Sequence, residues 1–475
     1  MADPIPPQSP SGHSDMSDIR WVLPVTILGS SMGFIDGSVV NVALPAMQAT
    51  LHSTLATMQW VINAYMLLLA SLILLGGSLG DRFGRKRIFI VGLIIFAVAS
   101  VGCGAAPSAA WLIAARAIQG AGAALLVPAS LAIIGTAYSE EERGRAIGTW
   151  SAAAAITTAI GPPLGGWLVD AVGWQAIFFI NPPIAAVTLF LATKLAPDHG
   201  AERDDPLDLL GSALAVLTLG LFCYGLIALG EGMRLAGSLA TLGSIPAAAL
   251  FLLVEARSKA PMLPLRLFHN RNFSGANALT VVLYAALSGS LFLLPFMLIK
   301  VHGYSAMAAG AAFLPFSVIM GGGSRWAGGL SDRLGARLPL IGGPLLTGLG
   351  FAYLAFGSHG EVYWTSVFPG LVMIGTGMTF AIPPLTSTVF NSVSKAASGT
   401  ASGINNAAAR GGGLVAVAAI GLAFGGADLA KINPDALQSA YRLVMLVAAL
   451  LAVLSAVCAG MTISPKAARR QKEPT

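Results

Sequence analysis

Asp36 and Arg116 are the two charged residues whose placement predicts chemistry, because each lies inside a long apolar segment. A buried carboxylate is unfavourable by several kcal/mol unless it is paired or lines a wet cavity. Asp36 can bind and release a proton, whereas an arginine keeps its charge at any physiological pH. Other carboxylates near apolar segments fall at segment ends: Asp81, Asp170, Glu255 and Asp332. Asp36 is therefore a candidate proton-binding group, with a purely structural ion pair as the alternative.

Depth along the segments predicts that these two charges meet. Asp36 lies nine residues before Pro45, or about 13 Å from that outer end at the helical rise of 1.5 Å per residue. Arg116 lies about six residues after the outer end of its own segment, or about 9 Å by the same rise. Arg116, Gln119 and Gly120 share one helical face by their spacing. We therefore predict a contact between Asp36 and Arg116, with Gln119 beside them.

The remaining reactive residue types predict no second chemical centre. All six histidines fall in the N-terminal tail or in predicted loops. The three cysteines lie far apart in apolar segments without a CxxC spacing, so they predict core residues, not disulfides or metal ligands. A membrane-embedded lipid-modifying enzyme would need clustered nucleophilic groups, and the sequence shows no such cluster. We expect no enzyme activity, no cofactor and no metal.

Membrane helices are the elements that must position these residues. The 475 residues are 55% hydrophobic and only 10% charged, whereas soluble proteins carry roughly 25% charged residues. Blocks of about 20 apolar residues span a bilayer as helices, which satisfy their own backbone hydrogen bonds. We predict an all-α membrane protein with fourteen transmembrane helices. They lie near residues 21–45, 58–80, 88–106, 110–135, 146–169, 174–196, 207–229, 238–256, 273–299, 306–330, 338–357, 363–389, 398–425 and 441–463.

The basic residues predict the orientation of these helices. With both termini in the cytoplasm, twenty of the 27 Lys and Arg residues fall inside, four fall outside and three lie within helices. Such an excess on the cytoplasmic side is the rule for membrane proteins. The net charge of +6 therefore reflects topology, not nucleic-acid binding. We expect a bacterial cytoplasmic (inner) membrane protein whose N-terminus is not a cleavable signal peptide.

An internal repeat divides the chain. GSLGDRFGRKR (Gly77–Arg87) recurs as GGLSDRLGARL (Gly328–Leu338), which places Asp332 251 residues after Asp81. Secondary transporters are commonly built from such parallel repeats. The predicted organisation is a disordered tail (1–20), an N-terminal six-helix bundle (21–196), a loop (197–206), two inserted helices (207–256), a loop (257–272), a C-terminal six-helix bundle (273–463) and a tail (464–475).

The segment GSLGDRFGRK is similar to the loop signature of the major facilitator superfamily. Further segments resemble its drug:proton antiporter branch: FIDGSVVNVALP (Phe34–Pro45), QWVINAY (Gln59–Tyr65), LIAARAIQGAGAA (Leu112–Ala124) and GPPLGG (Gly161–Gly166). The number of predicted helices favours the fourteen-helix group within that branch. Two positions depart from the family pattern, because Thr157 stands where Gly is usual and Gln175 stands where Arg is common.

The resemblance implies roles for three sets of residues. A conformational latch would include Gly77, Gly80, Asp81, Arg82, Gly84, Arg85, Asp332 and Arg333. The alternative is a positively charged loop that only sets the orientation of the helices in the membrane. The element associated with exporters would be Gly161, Pro162, Gly165 and Gly166. A substrate cavity would draw on Phe34, Asn41, Trp60, Asn63, Tyr65, Gln119, Asn405 and Arg410. Trp60 equally suits an interfacial anchor.

The function implied by the resemblance is proton-coupled export of small, lipophilic drugs or metabolites by alternating access. A proton symporter that imports a metabolite is the alternative within transport. The expected partners are the lipid bilayer, protons and a small-molecule substrate. The chain is expected to be a monomer, and the resemblance allows a periplasmic adaptor and an outer-membrane channel. Substrate charge stays open, because one membrane carboxylate against Arg116 and Arg410 suits neutral or weakly acidic compounds as well as the lipophilic cations typical of the family.

Overall fold

The structure, a computed structural model, describes residues 16–195, 206–357, 362–394, 397–425 and 433–464. Helices account for nearly all of these ranges, and no strand occurs in them. The helices are α1 (Met16–Thr50), α2 (Leu55–Phe83), α3 (Arg85–Gly104), α4 (Ala109–Ala137), α5 (Glu140–Ala171), α6 (Ala176–Phe179), α7 (Asn181–Ala192), α8 (Leu209–Gly230), α9 (Arg234–Arg257), α10 (Arg271–Phe296), α11 (Ala306–Ala311), α12 (Leu314–Leu334), α13 (Arg337–Gly357), α14 (Tyr363–Ser366), α15 (Phe368–Asn391), α16 (Ser398–Ala419) and α17 (Pro434–Thr462).

The predicted all-α fold is confirmed. Within the described residues, thirteen helical segments are long and apolar enough to cross a membrane, and Ala176–Ala192 is a shorter apolar segment. Together they account for the fourteen predicted helices. A π-helical turn (Met297–Val301) extends α10, and a 3₁₀ turn (Ile420–Phe424) extends α16.

Several predicted helices are interrupted or begin elsewhere. The helix predicted at 174–196 breaks between α6 and α7, where Pro182 and Pro183 lack the backbone donors that would continue one helix. The helix predicted at 306–330 is likewise divided between α11 and α12, and that at 363–389 between α14 and α15. α1 begins at Met16, within the range 1–20 that the sequence predicts as a disordered tail. Residues 1–15, most of the 197–206 loop and most of the 464–475 tail lie outside the described ranges.

Two helical groups flank an inserted pair. We call α1–α7 the N half, α10–α17 the C half, and α8 with α9 the insert. In the N half α4 packs on α2 and α3, and α1 packs on α5. In the C half α10 packs on α16 and α17, while α13 packs on α15 and α17. The insert helices pack on each other, and α8 also contacts α2, α16 and the 3₁₀ turn that follows α16.

Backbone contact between α2 and α4 positions the charged residues of the N half. A Cβ on Gly120 would collide with the carbonyl oxygen of Tyr65, and a Cβ on Gly76 would collide with that of Ala124. Small residues permit this close approach, which dispersion and packing favour in lipid. The side chain of Arg116, one turn before Gly120 on α4, is thereby brought against α2.

Side-chain hydrogen bonds join the N and C halves at one end of the bundle, which we call the Asp170 end. Asp170, at the end of α5, accepts hydrogen bonds from the backbone N–H groups of Ala306 (3.2 Å) and Met307 (2.8 Å) at the start of α11. Nearby, the Lys300 ammonium donates to Gln48 Oε1 at 2.5 Å. These contacts close the two halves against each other at this end. The opposite end, which carries the α2–α3 loop, we call the Asp81 end.

Candidate functional site

The predicted contact between Asp36 and Arg116 is present and lies wholly inside the N half. The Arg116 Nη1 atom donates to Asp36 Oδ2 at 2.5 Å, and the two side chains are 1% and 0% exposed. Arg116 also donates from Nε to the Val61 carbonyl oxygen of α2 at 3.2 Å. A buried ion pair needs this kind of additional hydrogen bonding to offset the loss of water.

Gln119 connects the two charges, as its position one turn from Arg116 predicts. Its Oε1 accepts from Arg116 Nη1 at 2.6 Å, while its Nε2 donates to Asp36 Oδ1 at 2.9 Å and to Ser100 Oγ at 2.7 Å. Asn181 Nδ2 donates to the same Ser100 oxygen at 3.1 Å. The cluster therefore links α1, α3, α4 and the start of α7 in one buried polar network.

Aromatic rings complete the walls of this network. The Arg116 guanidinium carbon lies 4.3 Å from the Tyr65 ring centroid and 5.7 Å from that of Phe178. Ring faces attract cations, so these contacts add to the hydrogen bonds that hold the guanidinium. Ser100, Asn181 and Phe178 are not among the site residues predicted from the sequence. The sequence does contain one signal for such a residue, because Asn181 is a polar residue within an apolar run.

Other predicted cavity residues occupy different environments. The Phe34 ring packs edge-on against Trp150 of α5 at 5.5 Å. Trp60 lies beside Tyr224 of the insert at 6.5 Å, so its ring is packed between α2 and α8. Asn405 donates to Asn277 and Thr280, which ties α16 to α10. Asn41 is half-buried on α1.

Two polar residues, one on α2 and one on α16, have no hydrogen-bond or ion-pair partner among the described residues. Asn63 of α2 is fully buried, and neither its Nδ2 nor its Oδ1 makes a hydrogen bond there. Arg410 of α16 is half-buried and makes no hydrogen bond or ion pair with described residues. Buried polar groups are normally satisfied, so unpaired ones call for a physical explanation.

The residues of the predicted exporter element pack in two directions. Gly161 and Gly165 face α1, where a Cβ would collide with Ser38 and Val39 respectively. Gly166 faces the C half, since its Cβ would collide with the backbone of Ala306. Conversely, a Cβ on Gly310 would collide with the carbonyl oxygen of Pro162. This element therefore supports both the N half and the closure at the Asp170 end.

The predicted latch residues lie in the tight turn between α2 and α3. Gly84 has φ +99°, a backbone conformation that favours glycine, and it ends α2 and begins α3. Asp81 accepts from Arg85 Nη2 at 3.0 Å, and both side chains remain partly exposed. Gly77 and Gly80 precede this pair on α2, and Arg82 is half-buried. In the second copy, Gly335 also has positive φ, while the side chains of Asp332 and Arg333 lie outside the described part.

A multi-pass helical bundle with a buried carboxylate–arginine pair is typical of membrane transporters, in which buried charges mark functional sites. The chain belongs to the Major Facilitator Superfamily, whose sequence profile matches residues 26–417. The family predicted from the motifs is thus confirmed.

Similar proteins include several resistance proteins. The chain is 36% identical over 402 residues to the multidrug resistance protein Stp of Mycobacterium tuberculosis, covering 83% of this chain and 74% of that protein. It is 34% identical over 429 residues to the tetracenomycin C resistance and export protein of Streptomyces glaucescens, covering 87% and 78%. It is also 34% identical over 425 residues to the puromycin resistance protein pur8 of Streptomyces alboniger, covering 87% and 83%.

The fold is also similar to a solved transporter. A crystal structure of a bacterial homologue of the human lysosomal transporter Spinster, in an inward-facing and unoccupied conformation, aligns with a TM-score of 0.69 at 17% identity. The alignment covers 97% of this chain and 100% of that chain. At this identity the likeness concerns the fold alone.

Proposed function

We propose that this protein is a proton-coupled exporter of small, lipophilic drugs or metabolites that works by alternating access. The observation that carries the proposal is the Asp36–Arg116–Gln119 cluster, which puts one titratable carboxylate inside the bundle. The similarity to resistance and export proteins supports the direction of transport and the substrate class.

Gln119 allows Asp36 to change its protonation state while Arg116 keeps hydrogen-bond acceptors. When Asp36 takes up a proton, its charge attraction to Arg116 is lost. The guanidinium still donates to Gln119 Oε1 and to the Val61 carbonyl oxygen. A neutral carboxyl group can move away from Arg116 more readily than a carboxylate, so protonation loosens the packing of α1 against α4.

The two halves would move as units around this cluster. We assign the Asp170 end to the outside and the Asp81 end to the cytoplasm, in agreement with the distribution of basic residues. The structure then corresponds to a state that is closed outside. Protonation of Asp36 from outside would favour the state open to the cytoplasm, and proton release inside would accompany the return. The Asp81–Arg85 turn would act as a latch at the cytoplasmic end, and the insert would lie outside the moving halves.

Uptake into everted membrane vesicles tests direction and coupling together. Respiration acidifies the lumen of such vesicles, so a proton-driven exporter accumulates its substrate inside. We expect protein-dependent uptake of puromycin or rhodamine 123 that a protonophore abolishes, with vesicles from non-expressing cells as the control. A symporter would instead move its substrate out of these vesicles. Uptake that persists after the proton gradient is dissipated would refute the coupling.

A further inference from the structure

The face of α16 that is turned toward α2 carries a single charged residue, Arg410. Gly403, Arg410 and Val417 are spaced by seven residues, which places them on the same face of a helix. At one end of this face, Gly403 packs against Leu74 of α2. At the other end, Gln59 of α2 donates to the Val417 carbonyl oxygen at 2.5 Å. Arg410 therefore lies between two contacts that join the halves.

Depth along α16 puts Arg410 near the middle of the membrane. It lies twelve residues after Ser398, the first residue of the helix, or about 18 Å along the axis at the helical rise. Its neighbour Ala407 packs on the hydrophobic core of the N half. Gly413, one turn further, lies near Met66 of α2. This depth and these neighbours match the midplane position at which transporters of this architecture bind their substrates.

The charge of Arg410 is not balanced by the described residues. The buried carboxylate of Asp36 is already paired with Arg116. Arg410 instead lies within electrostatic range of Tyr65 in the N half and Tyr284 in the C half. A half-buried cation without a counter-charge is unfavourable in the membrane. A ligand with a negative group would supply the missing partner.

Two buried amides on α2, Gln59 and Asn63, have side-chain atoms without a hydrogen-bond partner among the described residues. Asn63 lies between Gln59 and Met66, both of which face α16, and both of its amide atoms are buried without a partner among the described residues. Gln59 Oε1 is likewise buried and unpaired there. A ligand that reaches from Arg410 toward Asn63 would satisfy these groups, since each amide can donate and accept.

We propose that Arg410 binds the anionic group of substrates that carry one, and that the compounds this protein transports include lipophilic aromatic acids with a carboxylate or a phenolate. The planar guanidinium presents paired donors that match a carboxylate. The half-buried side chains of Tyr284 and Met66 provide an aromatic ring and a thioether for contact with an aromatic frame. This inference rests on the proposed function, because it names the substrate class of the same cavity.

Two dyes with the same three-ring xanthene frame and opposite charge test the proposal: fluorescein, which is anionic, and rhodamine 123, which is cationic. Binding to purified protein is measured by fluorescence polarisation, and transport by uptake into everted vesicles. In Arg410→Gln we expect fluorescein affinity to fall about 10- to 100-fold, the range that corresponds to the loss of a charge-assisted hydrogen bond. Rhodamine 123 affinity should be unchanged or higher. Arg410→Lys, which keeps the charge but not the paired donors, should fall between parent and Arg410→Gln for fluorescein.

Arg442→Gln is the matched control, because Arg442 is exposed and packs over Phe356 away from the junction of the halves. It should leave the affinities of both dyes unchanged. If Arg410→Gln does not purify as a folded protein, Arg410→Lys is the test. A loss of fluorescein affinity without a loss of rhodamine 123 affinity in Arg410→Lys would support the proposal. Equal loss of affinity for both dyes, or no loss of fluorescein affinity, would overturn the assignment of Arg410. The proposed export function would still stand if the parent protein transports rhodamine 123 or puromycin. Failure of the parent to transport any of these compounds would instead count against the proposed function.

Discussion

Gln119 gives the Asp36–Arg116 pair a property that an isolated ion pair lacks. Its two amide groups bond both members, with Oε1 on the guanidinium and Nε2 on the carboxylate. Removing one partner of a buried ion pair normally costs about 3–5 kcal/mol, because the other charge is left uncompensated. Here Arg116 keeps two acceptors when Asp36 becomes neutral. This arrangement supports the proposal that Asp36 binds and releases a proton, because a purely structural pair would not need the additional acceptors.

Asp36→Asn preserves the shape of the side chain but replaces the carboxylate with an amide, which cannot bind and release a proton. The amide oxygen can still accept from Gln119, so we expect the variant to fold with a lowered melting temperature. Proton release on adding rhodamine 123 to purified protein in weak buffer should disappear, and so should uphill uptake into everted vesicles. Asp435→Asn, at the exposed start of α17, is the control and should release protons like the parent. Proton release by Asp36→Asn equal to that of the parent would show that the coupling residue lies elsewhere.

At the scale of elements, one glycine-rich segment of α5 packs on two different helices. Gly161 and Gly165 are four residues apart and pack on α1, whereas Gly166, one residue further, packs on α11 of the C half. A helix turns by about 100° per residue, so adjacent glycines face different neighbours. Side chains at the first two positions would disturb the N half, and a side chain at Gly166 would disturb the closure between halves.

Gly166→Ala should therefore destabilise the closed Asp170 end selectively. A methyl group there collides with the backbone of Ala306, and overpacking of this kind typically costs about 1–3 kcal/mol, or about 5- to 150-fold in the population ratio. Opening is measured in a cysteine-free background as the reaction of Gln48→Cys with a membrane-impermeant maleimide, because Gln48 is buried in the closed end. We expect faster labelling.

Gly148→Ala is the matched control for this prediction. It lies on α5 as well, and a Cβ there meets no atom within 4 Å. Its labelling rate should match that of the parent. Equal rates in both alanine variants would mean that the α5–α11 contact does not hold this end closed.

At the scale of the whole molecule, the sequence was sufficient to predict the number of helices. Apolar blocks of membrane length are local signals, and the structure has a helix for each of them. The meeting of Asp36 and Arg116 also followed from depth along two helices. By contrast, the packing of Trp60 on Tyr224 and of Asn405 on α10 depends on helix rotation and on neighbours far away in the chain. The hydropathy pattern specifies neither the rotation of a helix about its axis nor the identity of its distant neighbours.

The contacts at the Asp170 end are a property of the assembled halves. Asp170 caps the start of α11 across the junction, and Gln59 reaches α16. By contrast, the pairing of Arg85 with Asp81 is made within one half. If the halves rock during transport, contacts at the Asp170 end must break and reform in every cycle. Contacts within a half should persist throughout the cycle.

Cross-linking distinguishes these two kinds of contact. In a cysteine-free background, Asp170→Cys with Met307→Cys places two thiols across the junction, where both positions are exposed. A short bismaleimide with a cleavable disulfide spacer should join them and abolish uptake into everted vesicles, and reduction of the spacer should restore it. Gly102→Cys with Trp111→Cys is the control, because a hydrogen bond from Trp111 to the Gly102 carbonyl oxygen joins α3 and α4 within the N half. That cross-link should leave uptake unchanged. Continued uptake after complete cross-linking of the thiols introduced at Asp170 and Met307 would rule out rocking of the halves about this junction.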